Sequence, residues 1–289
     1  MNPASPDPGR LLGLAEAAAR EAASMLAASR SAGRPGVVAT KSSPTDVVTE
    51  ADRTAEAMII ERIRADRPGD GFLGEEGGQS GASAGPGPGP VVRWIIDPLD
   101  GTVNYLYGLP DFAVSIAAEV DGEIVAGVVH VPERGEVFTA VSGGGAWLRA
   151  AGRPPEPMRC TSGVPLARAL VATGFGYAAA RRRVQGEVAA ALLPLVRDIR
   201  RAGSAAVDLC SLAAGRVDAY YERGVNYWDI AAGGLIAREA GATMGGLYGR
   251  PAGPELTVAA GPGLFDELTG QLGKLNPLRD EPRDELRDE

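Results

Sequence analysis

The chain has 289 residues, is 45% hydrophobic and carries a formal net charge of -8 at pH 7. That is enough apolar material for a core needing no staple. It is also enough excess acid to exclude an electrostatic nucleic-acid binder, which needs a basic face, while leaving open a phosphorylated ligand whose charge is met by cations.

In chain order, the first element expected is an amphipathic helix over 11–30, with Leu12, Ala15, Ala19, Ala22 and Leu26 at helical spacing. Glu16, Arg20 and Glu21 interrupt this Leu/Ala stretch, and the segment before it is polar and Pro-rich, so neither reads as a signal peptide or membrane span. A second helix is expected from about Thr49 to Arg64, with Thr49 and Asp52 at capping-box spacing. The Gly/Pro-rich run 77–90 reads as a mobile loop, and 91–97 as a buried strand ending in an acid. Segments 112–120, 123–131 and 136–141 read as an antiparallel meander, turning at Asp121-Gly122 and Arg134-Gly135.

The second half alternates: a strand at 169–173, helices at 179–198 and 204–214, and a strand at 217–222. A helix at 228–240, a strand at 256–260 and a closing helix at 264–272 complete it. Interleaved helices and strands favour sheets layered between helices. Arg-Asp-Glu recurs at 279–281, 283–285 and 287–289, where no apolar face exists to bury, so a disordered tail is expected. The two cysteines, Cys160 and Cys210, read as free thiols in a reducing compartment, and a cytoplasmic protein without a membrane partner is the expectation.

The strongest chemical signal is Asp97-Pro98-Leu99-Asp100-Gly101-Thr102, directly after the 91–97 strand. Two carboxylates on one tight turn, stiffened by Pro98, can point into one small volume, and with a turn carbonyl they suit a hard cation such as Mg²⁺. Gly101 allows close backbone approach, and Gly101-Thr102 can open a helix whose free N–H groups face a phosphate. Glu75, in Gly74-Glu75-Glu76-Gly77, and Asp229, after Trp228, are further carboxylates. Each has an ordinary structural alternative: a solvated turn for Glu75 and a helix cap for Asp229, as for Asp52 and for an acidic turn at 97–100.

The motifs occur together and in order: Lys41-Ser42-Ser43-Pro44 with Asp46, Thr49 and Asp52; Gly74-Glu75-Glu76; Trp94 through Thr102; and Trp228-Asp229-Ile230-Ala231-Ala232-Gly233. In this set the chain closely resembles the inositol monophosphatase family, among the lithium-sensitive, magnesium-dependent phosphatases, from about residue 10 to about residue 272.

The resemblance implies a layered αβαβα sandwich, of the type shared with fructose-1,6-bisphosphatase, in a homodimer. It implies one such domain over 1–275, with halves at about 1–150 and 151–275 and the charged tail at 276–289. It implies Mg²⁺-dependent hydrolysis of a small sugar or cyclitol phosphate, inositol 1-phosphate foremost, by in-line attack of a metal-activated water. Two to three ions are implied. Glu75, Asp97 and the Leu99 carbonyl would hold the first, Asp97, Asp100 and Asp229 the second, and a weaker third would lie near Glu75. Asp52 and Thr102 would orient and deprotonate the water, with Lys41 in support. Gly101, Thr102, Gly203, Ser204, Ala205, Glu222 and Asp229 would meet the substrate, Glu222 through inositol hydroxyls. Asn226 stands where some relatives have histidine, which puts contacts on that side of the sugar in doubt. Histidinol phosphate, fructose 1,6-bisphosphate and 3′-phosphoadenosine 5′-phosphate are the alternative substrates, and a catalytically silent regulatory module is the alternative outside enzymes. The sole histidine, His130, lies in the meander and away from every motif, which argues against a histidine-activated nucleophile.

Overall fold

The computed structural model describes residues 6–33, 37–40, 47–81 and 91–279. Helix α1 spans Pro8–Ser31. Its buried stripe is Leu11, Ala15, Ala18, Ala19, Ala22, Ala23 and Leu26, so Leu11 rather than Leu12 begins it. Strands β1 (Val37–Thr40) and β2 (Val47–Thr49) form a small antiparallel pair ahead of helix α2 (Glu50–Asp66). The expected capping box is present: Thr49 accepts from the first turn, and its own N–H donates to Asp52.

Eight strands form the large sheet: β3 (Gly71–Gly74), β4 (Gly78–Ser80), β5 (Val92–Asp100), β6 (Ala113–Val120), β7 (Glu123–Val131), β8 (Glu136–Val141), β9 (Gly145–Ala150) and β10 (Glu156–Pro157). Short helix α3 (Thr102–Tyr107) lies between β5 and β6. The spatial order is β10-β9-β8-β7-β6-β5-β3-β4, antiparallel throughout except for β3 beside β5. The meander is as expected, and Asp121-Gly122, both at positive φ, close the β6–β7 hairpin.

The second half adds β11 (Leu170–Thr173), α4 (Ala179–Leu192), β12 (Asp198–Arg200), α5 (Ala205–Ala213), β13 (Ala219–Glu222), α6 (Tyr227–Glu239), β14 (Thr243–Gly245), β15 (Thr257–Ala260) and α7 (Leu264–Leu275). Its five strands run in the order β12-β11-β13-β15-β14.

Alternation along each strand builds the layers. Trp94 and Ile96 of β5 pack toward α1 and α2, while Ile95 between them packs toward α5 and α6. In the small sheet Ala172, Tyr220 and Ala259 meet α5 and α6, and Val171, Tyr221 and Val258 meet α4 and α7. The order is therefore helix pair, large sheet, helix pair, small sheet, helix pair: the αβαβα sandwich. Each fully buried Leu or Ile in these interfaces contributes about 1.5–3 kcal/mol.

Three expectations change. The helix expected over 179–198 stops at Leu192. Pro194 has no N–H to continue the ladder; Leu193–Leu195 is a 3₁₀ turn, and Asp198–Arg200 pairs with β11 instead. In the run 77–90, Gly78–Ser80 is a strand because β3 offers it an antiparallel ladder, and 82–90 lie outside the described residues. Strands β1, β2, β3, β9, β10, β12 and β14 are also additional to the expected set. Of the expected tail, Leu278 packs on the α4–α7 layer and Arg279 pairs with Glu187, while 280–289 lie outside the described residues. Both cysteines are free. His130 sits in β7, where burial pushes its pKa down to about 4. Among the described residues, no helix is long and apolar enough to cross a membrane.

Candidate active site

The carboxyl ends of β3 and β5 and the N-termini of α3, α5 and α6 meet at one cleft of about 380 Å³. Asp97 and Asp100 reach it together because of a bulge. Asp97 pairs with Ser115 and Asp100 with Ala113, so three steps on β5 oppose two on β6. In a regular strand, residues three apart face opposite sides; the extra residue resets that parity and brings both carboxylates to the cleft. Gly101 follows at φ 95, where a Cβ would lie 2.8 Å from the Asp111 carbonyl, and Thr102 opens α3.

Each aspartate has one oxygen fixed by a donor. The Leu99 N–H donates to Asp97 Oδ1 (3.1 Å). Ser204 Oγ and the Ala206 N–H, both 2.7 Å away, donate to Asp100 Oδ2, so the first turn of α5 clamps a residue of the large sheet. The Asn226 N–H donates to Asp229 Oδ2 (2.6 Å) at the start of α6. Glu75 leaves the end of β3, its N–H bonded to the Ile96 carbonyl, and its carboxyl interacts directly with that of Asp97.

The electrostatics follow from this gathering. Burial, then the charges of Glu75, Asp100 and Asp229, push the Asp97 carboxyl well above its ordinary range. Burial and the Asp100 charge do the same to Asp229. Asp100 rises to about 6 through burial, even though its α5 donors oppose the shift.

Asp52, 1% exposed, accepts from the Thr49 N–H (2.8 Å) and hydroxyl (2.6 Å) at Oδ2 and from Thr102 Oγ1 (3.1 Å) at Oδ1. It is therefore both the helix cap and the partner of Thr102. Burial raises its pKa, against the Thr49 hydrogen bonds. Thr102 Oγ1 also lies 3.2 Å from the Leu99 carbonyl.

Glu222, at the end of β13, accepts from the Tyr220 hydroxyl (3.0 Å), and burial carries it up to about 7. Gly174 faces it, where a Cβ would come within 2.1 Å of the carboxylate. Gly203, Ser204, Ala205 and Asn226 line the same cleft, and Lys41 falls outside the described residues.

Two supporting roles were not read from sequence. Glu56 of α2 accepts from the N–H groups of Glu76 (2.9 Å) and Gly77 (2.7 Å), fixing the turn that carries Glu75. The available signal was its i,i+4 spacing from Asp52, which puts both on one helix face. Asn104 donates to the carbonyls of Asp111 (2.6 Å) and Ala202 (2.9 Å), joining α3 to the loop before Ser204.

A family model, described as the inositol monophosphatase family, matches residues 7–277. The chain belongs to the inositol monophosphatase family. It is 47% identical over 285 residues to inositol-1-monophosphatase SuhB of Mycobacterium tuberculosis, spanning 96% of this chain and 98% of that protein. It is 41% identical to Nus factor SuhB of Pasteurella multocida, spanning 94% and 98%. The solved structure of Mycobacterium tuberculosis SuhB matches with a TM-score of 0.79 at 43% identity, over 95% of this chain and 100% of that one. Membership makes the protein one of a phosphatase family that acts on small phosphorylated substrates.

The donors suit the metal dependence general to the family: all are carboxylate or carbonyl oxygens, the choice of a hard divalent cation. Two carboxyls in contact, Glu75 and Asp97, need a shared proton or a cation between them. The Trp228 indole N–H, buried beside the cleft, has no partner among the described residues. As the side chains stand, no group of three or more His, Cys, Asp or Glu among the described residues is arranged to hold an ion. Asp100 and Asp229 are turned toward N–H donors instead.

Proposed function

We propose that the protein hydrolyses inositol 1-phosphate, or a closely related sugar or cyclitol phosphate, in a Mg²⁺-dependent reaction. The observation that carries the reading is the gathering of Glu75 with Asp97, Asp100 and Asp229, three aspartates whose carboxyl pKa values are raised, beside an ordered Asp52–Thr102 pair. Glu75, Asp97, the Leu99 carbonyl, Asp100 and Asp229 would hold two to three Mg²⁺ ions, with Lys41 in support. Magnesium, when bound, supplies Lewis acidity that offsets charge on the phosphoryl oxygens.

The chain's own residues do the rest. Thr102 Oγ1 can accept a hydrogen bond from an attacking water while donating its proton to Asp52 Oδ1. Thr49 holds the other Asp52 oxygen, so the carboxylate cannot rotate away. Gly101, Gly203, Ser204 and Ala205 form the wall against which the ester lies, and Glu222 accepts from substrate hydroxyls. This activity belongs to an inositol-phosphate phosphatase working as a lithium-sensitive cytoplasmic homodimer, with one such domain over 1–275.

The test is phosphate release from inositol 1-phosphate, histidinol phosphate, fructose 1,6-bisphosphate and 3′-phosphoadenosine 5′-phosphate, side by side, with Mg²⁺ and with excess chelator. Inositol 1-phosphate is expected to turn over fastest, only with Mg²⁺, and with inhibition by Li⁺. Full activity in chelator overturns the metal reading. The name Nus factor on the Pasteurella multocida relative brings a second reading, a regulatory module without turnover. The complete acid set weighs against it, and no release from any of the four esters would favour it.

A further inference from the structure

Most buried hydrogen-bonding groups in a folded chain are paired, so each one left over calls for a partner. Among the described residues three buried side-chain atoms have none: Ser115 Oγ, Tyr221 Oη and Trp228 Nε1. Tyr221 faces the α4–α7 layer, and Trp228 borders the cleft. Ser115 does neither. It stands in the middle of β6, 1% exposed, in a strand otherwise filled there by alanine, valine and isoleucine.

The pleat fixes what surrounds it. Ala113 and Ala117, two residues away on either side, pack toward α5 and α6, so Ser115 faces that side too. Across the ladder its partners are Asp97 of β5 and Val129 of β7. Of these four flanking residues only Asp97 is polar. Directly opposed residues hold their Cβ atoms about 4.5–5.5 Å apart, within reach of a serine hydroxyl and an aspartate carboxylate. Asp97 instead takes the Leu99 N–H at Oδ1 and interacts with Glu75, and the serine hydroxyl goes without. A carboxylate has about four acceptor positions, so these two engagements leave room for a further donor. A small side chain against α5 and α6 would account for alanine here just as well, and it leaves the hydroxyl unexplained.

Carboxylates that hold a metal are themselves hydrogen-bonded, and those partners tune the affinity. Resting on the metal-dependent reading above, we infer that Ser115 is a positioning residue for that metal: its hydroxyl donates to Asp97 when Mg²⁺ is bound and goes unpartnered when it is not. Serine at this position therefore lowers the stability of the metal-free protein and raises its affinity for the cation.

The probe is Mg²⁺ alone, without substrate, followed by calorimetric titration and by melting curves in chelator and across a Mg²⁺ series. Ser115→Ala removes the unpaired hydroxyl and is expected to melt at or above the wild-type temperature in chelator. The same variant should bind Mg²⁺ about tenfold more weakly, the lower end for losing the partner of a ligating group. Its gain in melting temperature at a given Mg²⁺ concentration shrinks accordingly. A packing role alone would not improve one state while weakening the other. Ser115→Thr and Ser115→Val form an isosteric pair in which any crowding is shared and only the hydroxyl differs. The Thr variant should bind Mg²⁺ about tenfold more tightly than the Val variant. Equal affinities within that pair, wild-type affinity in Ser115→Ala, or a lower melting temperature of Ser115→Ala in chelator would overturn the inference and leave the metal reading intact. Failure of the wild type to bind Mg²⁺ would overturn both.

Discussion

Helices α2 and α6 enter the site through the same local device. In each, the N-cap N–H donates to the acid three residues on: Thr49 to Asp52 and Asn226 to Asp229. The surroundings then separate the two acids. Asp52 has both oxygens engaged, by Thr49 and Thr102, and its shift comes from burial more than from neighbouring charge. Asp229 has one oxygen fixed and is raised by burial together with the charges of Asp100, Glu75 and Glu222. One capping motif thus yields a saturated carboxylate suited to holding a proton and a frustrated one suited to a cation. A cap and a functional acid are not competing assignments.

Breaking the frustrated member should have the larger effect. Asp229→Asn is expected to lower kcat/KM by about 10²–10³, the usual scale for losing one preorganised electrostatic partner. The same variant should melt higher than wild type in chelator, because it removes one of the repelling charges. Steady-state kinetics and thermal melts of the variant check both; a lower melting temperature in chelator would mean that the cap outweighs the repulsion.

On the saturated side, Thr49→Ala removes the hydroxyl that holds Asp52 without touching the acid. A cost of about 1 kcal/mol in stability is expected from the lost cap. A further drop in kcat, with little change in KM, is expected as Asp52 loses its fixed orientation toward Thr102. Denaturant titration and kinetics separate the two; unchanged kcat would show that Thr102 alone sets the Asp52 rotamer.

The comparison also sets a pH dependence. Burial holds Glu222 at about 7 and Asp100 at about 6, against ordinary values of 4.5 and 3.8. A carboxyl raised on folding binds more protons in the folded state. Its contribution to stability is complete below the ordinary value and is lost as pH climbs through the raised one. The metal-free protein should therefore melt lower at pH 8 than at pH 5, and saturating Mg²⁺ should flatten that slope. A calorimetric series from pH 5 to 8, with chelator and with Mg²⁺, tests it.

The smallest expected effect comes from a tether on the α6 side. The Tyr227 hydroxyl donates to Glu119 Oε2 (2.7 Å), which Arg93 grips with two bonds of 3.0 Å. Tyr227→Phe should cost a few-fold in kcat/KM, with the midpoint for Mg²⁺ activation shifted upward, because Asp229 lies two residues on. An unchanged Mg²⁺ midpoint would assign the tether to packing alone.

Much of this was legible in the residues. Asp97 and Asp100 stand on one turn whose spacing marks them, Glu75 and Asp229 were marked only by the family resemblance, and the meander announced itself through alternation and its Asp-Gly turn. What sequence did not disclose depends on partners far along the chain. The parity reset at Asp97–Asp100 exists only against β6, and Glu56 has meaning only once the 75–77 turn lies over it. The error at 179–198 came from reading apolar periodicity past Pro194, whose missing N–H outweighs it.

Glu56 also bears on how the protein can be altered. It anchors the backbone just after Glu75, while Asp52 sits one turn earlier on the same helix. The two acids are thus referenced to the same helix, α2. A change confined to Glu56 would therefore release the turn that carries Glu75 while Asp52 stays held by Thr49 and Thr102, so the two acids can be unlocked one at a time from a single helix.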